Sequence, residues 1–268
     1  MVFALDNQVK PLERKRKGSR DKGLGSKRSY TLKPIPKWVL KFRHADDSPH
    51  PYAWEVNAPT PKLRGIVHLV MSPLSLVAGL TIITLVGELR GRITIGIFTL
   101  TAVTLFTCSA LYHRVKWSDK YRALWRRIDH SNIPILIAGT YTPFAIYLLD
   151  RNSAKLLLIA VWVGALLIAA LRIGWINAPR WLYVVAYIAL GWAAIAFMPQ
   201  FLKTGGVAIF ILILIGGVLY SAGGVIYALR KPNFSIDWFG FHELFHALTA
   251  VAFTTHFVAA ALTVFLKN

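Results

Sequence analysis

Apolar residues in this chain are gathered into blocks parted by short polar stretches, at about 66 to 87, 93 to 113, 130 to 149, 155 to 175, 181 to 199, 207 to 229 and 242 to 265. A helix rises 1.5 Å per residue, so blocks of roughly 20 residues are long enough to cross ~30 Å of hydrocarbon. Soluble amphipathic helices show a narrower apolar stripe with polar residues on the far side. The pattern predicts an all-α, polytopic membrane protein whose seven transmembrane helices form one bundle over residues 61–268. Links such as Gly87 to Arg92 and Asp150 to Lys155 leave room only for tight connections between antiparallel neighbours. Pro134 and Pro143 predict a kink in the third span. Gly216, Gly217, Gly223 and Gly224 predict close helix contacts in the sixth.

Residues 1–60 have a different character: polar, with Arg14, Lys15, Arg16, Lys17, Arg20, Lys22, Lys27 and Arg28 near one another. This composition predicts a mostly disordered, cytoplasmic leader. It lacks the apolar stretch and small-residue cleavage site of a signal peptide, so it is expected to stay on the mature protein. Contact with anionic lipid headgroups would bring roughly 1 kcal/mol per basic side chain near the surface. The alternative is a solvated tail that only enforces orientation.

The formal net charge of +19 would suggest nucleic-acid binding in a soluble chain. Here the charge follows the topology, which excludes that class. Arg114, Lys116, Lys120, Arg122, Arg126 and Arg127 occupy the second loop, Arg172 and Arg180 flank the fourth, and Arg230 and Lys231 open the sixth. Because cytoplasmic loops retain Lys and Arg, these belong inside, giving an N-terminus in the cytoplasm and a C-terminus outside. Such a chain needs an odd number of spans. The lone cysteine, Cys108, excludes an intrachain disulfide and any CxxC knuckle.

Ionisable residues within apolar spans are expensive, and point to function. Ser109 and His113 end the second span, Asp129 and His130 begin the third, and His242, Glu243 and His246 begin the seventh. With the topology above, all lie at the cytoplasmic end. Residues four apart share a helix face, which pairs Ser109 with His113 and His242 with His246. Two imidazoles on one face and a third from a neighbouring helix make a three-histidine site, and Zn²⁺ with three protein ligands keeps a fourth position open for water. Asp129 or Ser109 would then orient that water or take its proton from outside the coordination sphere. His68, His256 and His130 read instead as hydrogen-bonding residues between helices, and Asp129 has an alternative as partner to a basic residue of the second loop. His242 to His246 also spells HExxH, which would make Glu243 the general base of an intramembrane metalloprotease, with His113 or Asp129 as third ligand.

A serine four residues before the histidine closing the second span, an aspartate opening the third and two histidines four apart in the seventh resemble the progestin and adipoQ receptor superfamily, and its hemolysin III branch most. The resemblance runs over about 66 to 265 and is carried by Ser109 to His113, by Arg127 to Pro143 (RIDHSNIPILIAGTYTP) and by His242 to Phe257 (HELFHALTAVAFTTHF). It implies zinc held by His113, His242 and His246 just inside the cytoplasmic face, with Asp129 near the metal-bound water and Ser109 at the motif serine. It also implies a bacterial cytoplasmic membrane and, by analogy with ceramidases and adiponectin receptors, hydrolysis of a lipid amide or ester. A channel-forming cytolysin and a lipid-binding sensor without turnover are the competing functions. Polar residues concentrated at one end of the spans count against an ion pore.

Overall fold

The computed structural model of the protein describes residues 61–175, 178–235 and 237–267; the basic leader lies outside the described residues. Helices α1 (Ile66–Leu85), α2 (Leu89–Arg114), α3 (Asp119–Leu148), α4 (Arg151–Gly174), α5 (Arg180–Gly191), α6 (Met198–Leu229) and α7 (Phe241–Leu266) follow one another, with a 3-10 helix at Ala193–Phe197. Among the described residues there is no β-sheet, only an isolated bridge between Ser235 and Phe239.

Five stretches, Ile66–Leu85, Leu89–Arg114, Arg151–Gly174, Arg180–Leu229 and Phe241–Leu266, are long and apolar enough to cross a membrane. Their outer faces are apolar too: Leu74, Val77 and Leu80 of α1 and Ile159, Val163 and Leu166 of α4 are all exposed. In water such a surface would drive aggregation, whereas lipid solvates it. The chain is an integral membrane protein.

The 50-residue stretch is a hairpin. Gly206 has φ +77 and ψ 172, a conformation essentially confined to glycine, and the helix breaks there. Trp192 Nε1 donates to Ser221 Oγ at 2.9 Å, and Gly224 lies against Val184 and Ile188. Partners at nearly equal distances along the chain on either side of Gly206 thus meet. The glycines of α6 serve two faces: Gly217 and Gly224 approach α5, while Gly216 and Gly223 approach α7.

Helix α3 is the centre of the bundle, packing on α2, α4, α5, α6 and α7. That enclosure explains why it carries Thr140 and Thr142, both buried and both donating to carbonyls of their own helix. It begins well before the apolar block expected at 130, because Lys120, Arg122 and Arg126 disfavour lipid but not a helix. It also runs on through Pro134 and Pro143 as one helix. Pro134 has no N–H to offer the carbonyl of His130, and the Tyr187 hydroxyl donates to that carbonyl instead, at 3.2 Å.

Links are as short as expected. Asp150 caps α4, accepting from Asn152 N at 3.0 Å and Ser153 N at 3.1 Å. Hydrogen bonding from Ser153 holds its carboxyl below the usual range, at about 2. Between α2 and α7, Phe106 and Phe253 meet edge to face at 5.2 Å, as Phe98 and Phe253 do at 5.4 Å. This contact ties together the two helices that carry the histidines.

Candidate metal centre

His113 sits in the last turn of α2, and His242 and His246 one turn apart at the start of α7. One nitrogen from each lies within 4.8 Å of the other two. The rings are steeply inclined to one another, with centroids 4.8 Å apart at 80° for His113 and His242, 5.1 Å at 60° for His113 and His246, and 4.6 Å at 69° for His242 and His246. His113 Nε2 and His242 Nε2 face each other at 3.2 Å. With Zn–N bonds of about 2.0–2.1 Å, tetrahedral angles separate ligand nitrogens by about 3.4 Å, so this pair already stands at a chelating distance. His246 is 2 % exposed, and its Nδ1 is buried without a hydrogen-bond partner. Three imidazoles around one point, with an unspent buried nitrogen among them, fit a borderline cation such as zinc.

Asp129 is close but stands back from the cluster. Its Oδ2 is 4.0 Å from His113 Nε2 and 3.6 Å from His130 Nδ1. At 4.0 Å there is no direct hydrogen bond, and one water suffices to join the two groups. Ser109, 2 % exposed, lines the same internal space as Asp129, His242 and His246. The three candidate ligands thus cluster, Asp129 stands beside His113, and Ser109 is hydrogen-bonded to Asp129.

The remaining histidines divide. His130 spends both ring nitrogens, Nδ1 on the Arg126 carbonyl at 2.8 Å and Nε2 on the Tyr227 hydroxyl at 3.2 Å. His256 Nε2 donates to the Ile213 carbonyl at 2.9 Å, tying α7 to α6. Both act between elements as expected. His68 also joins two helices, since it faces the His246 backbone and its ring stacks on that of His246 at 3.8 Å and 15°. To that expected role the stacking adds a second, as a platform beneath a candidate ligand, held edge-on by Phe106.

Glu243 is engaged elsewhere. One oxygen accepts from Gly240 N at 2.8 Å, closing the first turn of α7, and the other is paired with Arg64 Nε. A zincin general base must face the metal-bound water, and both oxygens of this carboxylate are already committed to helix entry and to the segment before α1. That segment is stitched down independently, by Lys62 N donating to the Asp237 carbonyl at 2.9 Å and by Lys62 Nζ lying 4.0 Å over the Trp238 ring. Gly65, at φ +76, then turns the chain against His113, where a Cβ would come within 2.7 Å of the His113 Cβ. These contacts close the histidine end of the bundle.

From this end an elongated cavity extends into the bundle. Asp129 and Phe144 of α3 both line it, and 15 residues of helix span about 22 Å. Asp129, His242 and His246 stand at its polar end, and farther in its wall is mostly apolar, with Leu136, Phe144, Phe201 and Ile213 among the lining residues. The depth and apolar walls suit an extended hydrocarbon chain.

A model of the haemolysin-III-related family matches residues 56–257. The chain is 33% identical over 152 residues to a hemolysin-3 homolog of Bacillus subtilis, covering 56% of this chain and 68% of that relative. It is 32% identical over 153 residues to hemolysin-3 of Bacillus cereus, covering 56% and 66% respectively. A heptahelical transmembrane protein, ADIPOR2 of Oryza sativa subsp. japonica, is 26% identical over 180 residues, covering 61% of this chain and 78% of its own.

Proposed function

The chain belongs to the haemolysin-III-related family, and from that premise we propose that it is a zinc-dependent hydrolase of a lipid amide or ester, seated in a bacterial cytoplasmic membrane and serving membrane lipid homeostasis. In this reading it spans the bilayer seven times, with the α5–α6 hairpin as two spans and α3 as one. Its N-terminus is cytoplasmic and its C-terminus outside. The basic loops on the histidine side support this orientation, as does the name of the heptahelical relative.

His113, His242 and His246 would hold the ion. Zinc bound there supplies a Lewis acid that polarises a carbonyl and acidifies a water. Asp129, whose Oδ2 lies 4.0 Å from His113 Nε2, would orient that water and accept its proton. Ser109, beside it on the cavity wall, supports the same water. The apolar space beyond the histidines takes the acyl chain, which brings its carbonyl to the polar end. The observation carrying the proposal is this juxtaposition of a chelating histidine triad with a deep apolar cavity.

Purified protein incubated with N-acyl and O-acyl lipids should release free fatty acid, and chelation should stop the release. Zinc-loaded protein that binds such lipids and releases none from either class would make the protein a sensor rather than an enzyme.

A further inference from the structure

Farther along the same cavity lies a second polar group that the proposed reaction does not use. His256 is 8 % exposed and lines the cavity. Its Nε2 donates to the Ile213 carbonyl at 2.9 Å, which fixes the proton on Nε2 and leaves Nδ1 as a lone-pair acceptor. That Nδ1 is buried and has no partner. Neither has the buried hydroxyl of Tyr220, whose ring centre is 5.6 Å from that of His256 and which lines the same cavity.

Three other polar side chains along this stretch of wall are satisfied. Thr140 donates to the Leu136 carbonyl, Trp192 to Ser221, and Ser221 to the Gly217 carbonyl. An unmade buried hydrogen bond costs about 1–3 kcal/mol, so two unspent groups on residues that line one cavity call for a ligand that supplies the missing partner. The place is also sterically prepared. Gly216 lies so close to the His256 ring that any Cβ there would overlap it, while Phe144 packs edge-on at 6.1 Å. The absence of a side chain at 216 lets the imidazole lie against α6.

We propose that His256 and Tyr220 form a hydroxyl-reading subsite, selecting a lipid whose chain carries a hydroxyl partway along its length. Nδ1 accepts from that hydroxyl, and the Tyr220 hydroxyl donates to it. This rests on the reading that the carbonyl end of the lipid lies at His113, His242 and His246. Ten residues of α7 separate His246 from His256, about 15 Å along the helix. An all-trans hydrocarbon chain rises about 1.25 Å per bond, so eleven to twelve bonds from a carboxyl carbon reach about 14–15 Å. A hydroxyl near the twelfth carbon therefore arrives at the subsite.

The test is competition for radiolabelled octadecanoate bound to the full-length, detergent-purified protein, comparing unlabelled octadecanoate with 12-hydroxyoctadecanoate. The hydroxylated acid is expected to compete about fivefold to tenfold better on the wild type, as one or two net hydrogen bonds provide. That ratio should fall to about one in Tyr220→Phe, which removes a single oxygen, and in His256→Asn, with label binding retained. A ratio of about one on the wild type overturns the subsite while leaving lipid binding intact. A preference that persists in both variants also overturns it, by placing the selection elsewhere. Absence of displaceable label binding on the wild type removes the lipid reading itself, and the subsite with it.

Discussion

Arg64 and Glu243 are paired across 179 residues of chain, joining the segment that enters α1 to the first turn of α7. Glu243 is the glutamate of HExxH, yet its carboxylate is fully buried in this pair and in the cap at Gly240. The motif's second residue thus fixes the orientation of the helix that presents His242 and His246.

A glutamine at 243 retains an acceptor for the Gly240 N–H and so keeps the helix entry. Glu243→Gln is therefore expected to keep its zinc and to lose less than about tenfold in lipid hydrolysis, whereas removal of a general base costs roughly 10²–10⁴-fold. A steady-state assay beside a zinc determination separates the two, and a loss beyond about a hundredfold with zinc retained would return Glu243 to the chemistry.

Asp129 has the opposite profile. It faces His113 at 4.0 Å without being one of the three clustered donors. Asp129→Asn should leave metal content unchanged and depress turnover by on the order of 10²–10⁴-fold, since the amide is isosteric but takes no proton. Loss of zinc in this variant would make the aspartate a ligand.

The hairpin between α5 and α6 depends on one backbone conformation. Gly206 has φ +77, and a side chain there costs of order 1–3 kcal/mol. Gly206→Ala is expected to lower the melting temperature in detergent, while zinc content at low temperature is preserved because the turn lies at the opposite end of the bundle from the histidines. An unchanged melting temperature would show that the turn tolerates a Cβ.

Much of this arrangement was legible in the sequence because its cause is local. Block length against bilayer thickness marked the helices of a polytopic membrane protein, and the four-residue spacing of His242 and His246, with His113 at equal depth, marked the cluster. What stayed hidden depends on tertiary contacts. His68 stands in an apolar run with nothing nearby to mark it, and only folding stacks it on His246. Glu243 was read through its motif, though Gly240 three residues earlier was a local sign of its capping role; its Arg64 partner is too distant in the chain to be read. The early start of α3 was missed because hydropathy reports on lipid exposure rather than helix propensity, and the basic residues from Lys120 to Arg127 are good helix formers.

The most direct test of a zinc centre at His113, His242 and His246 is elemental analysis of the detergent-purified protein, wild type beside His242→Ala, with folding matched by circular dichroism. About one zinc per chain in the wild type, lost in the variant, is the expected result; no bound metal in the wild type, or equal zinc in both, would contradict the assignment.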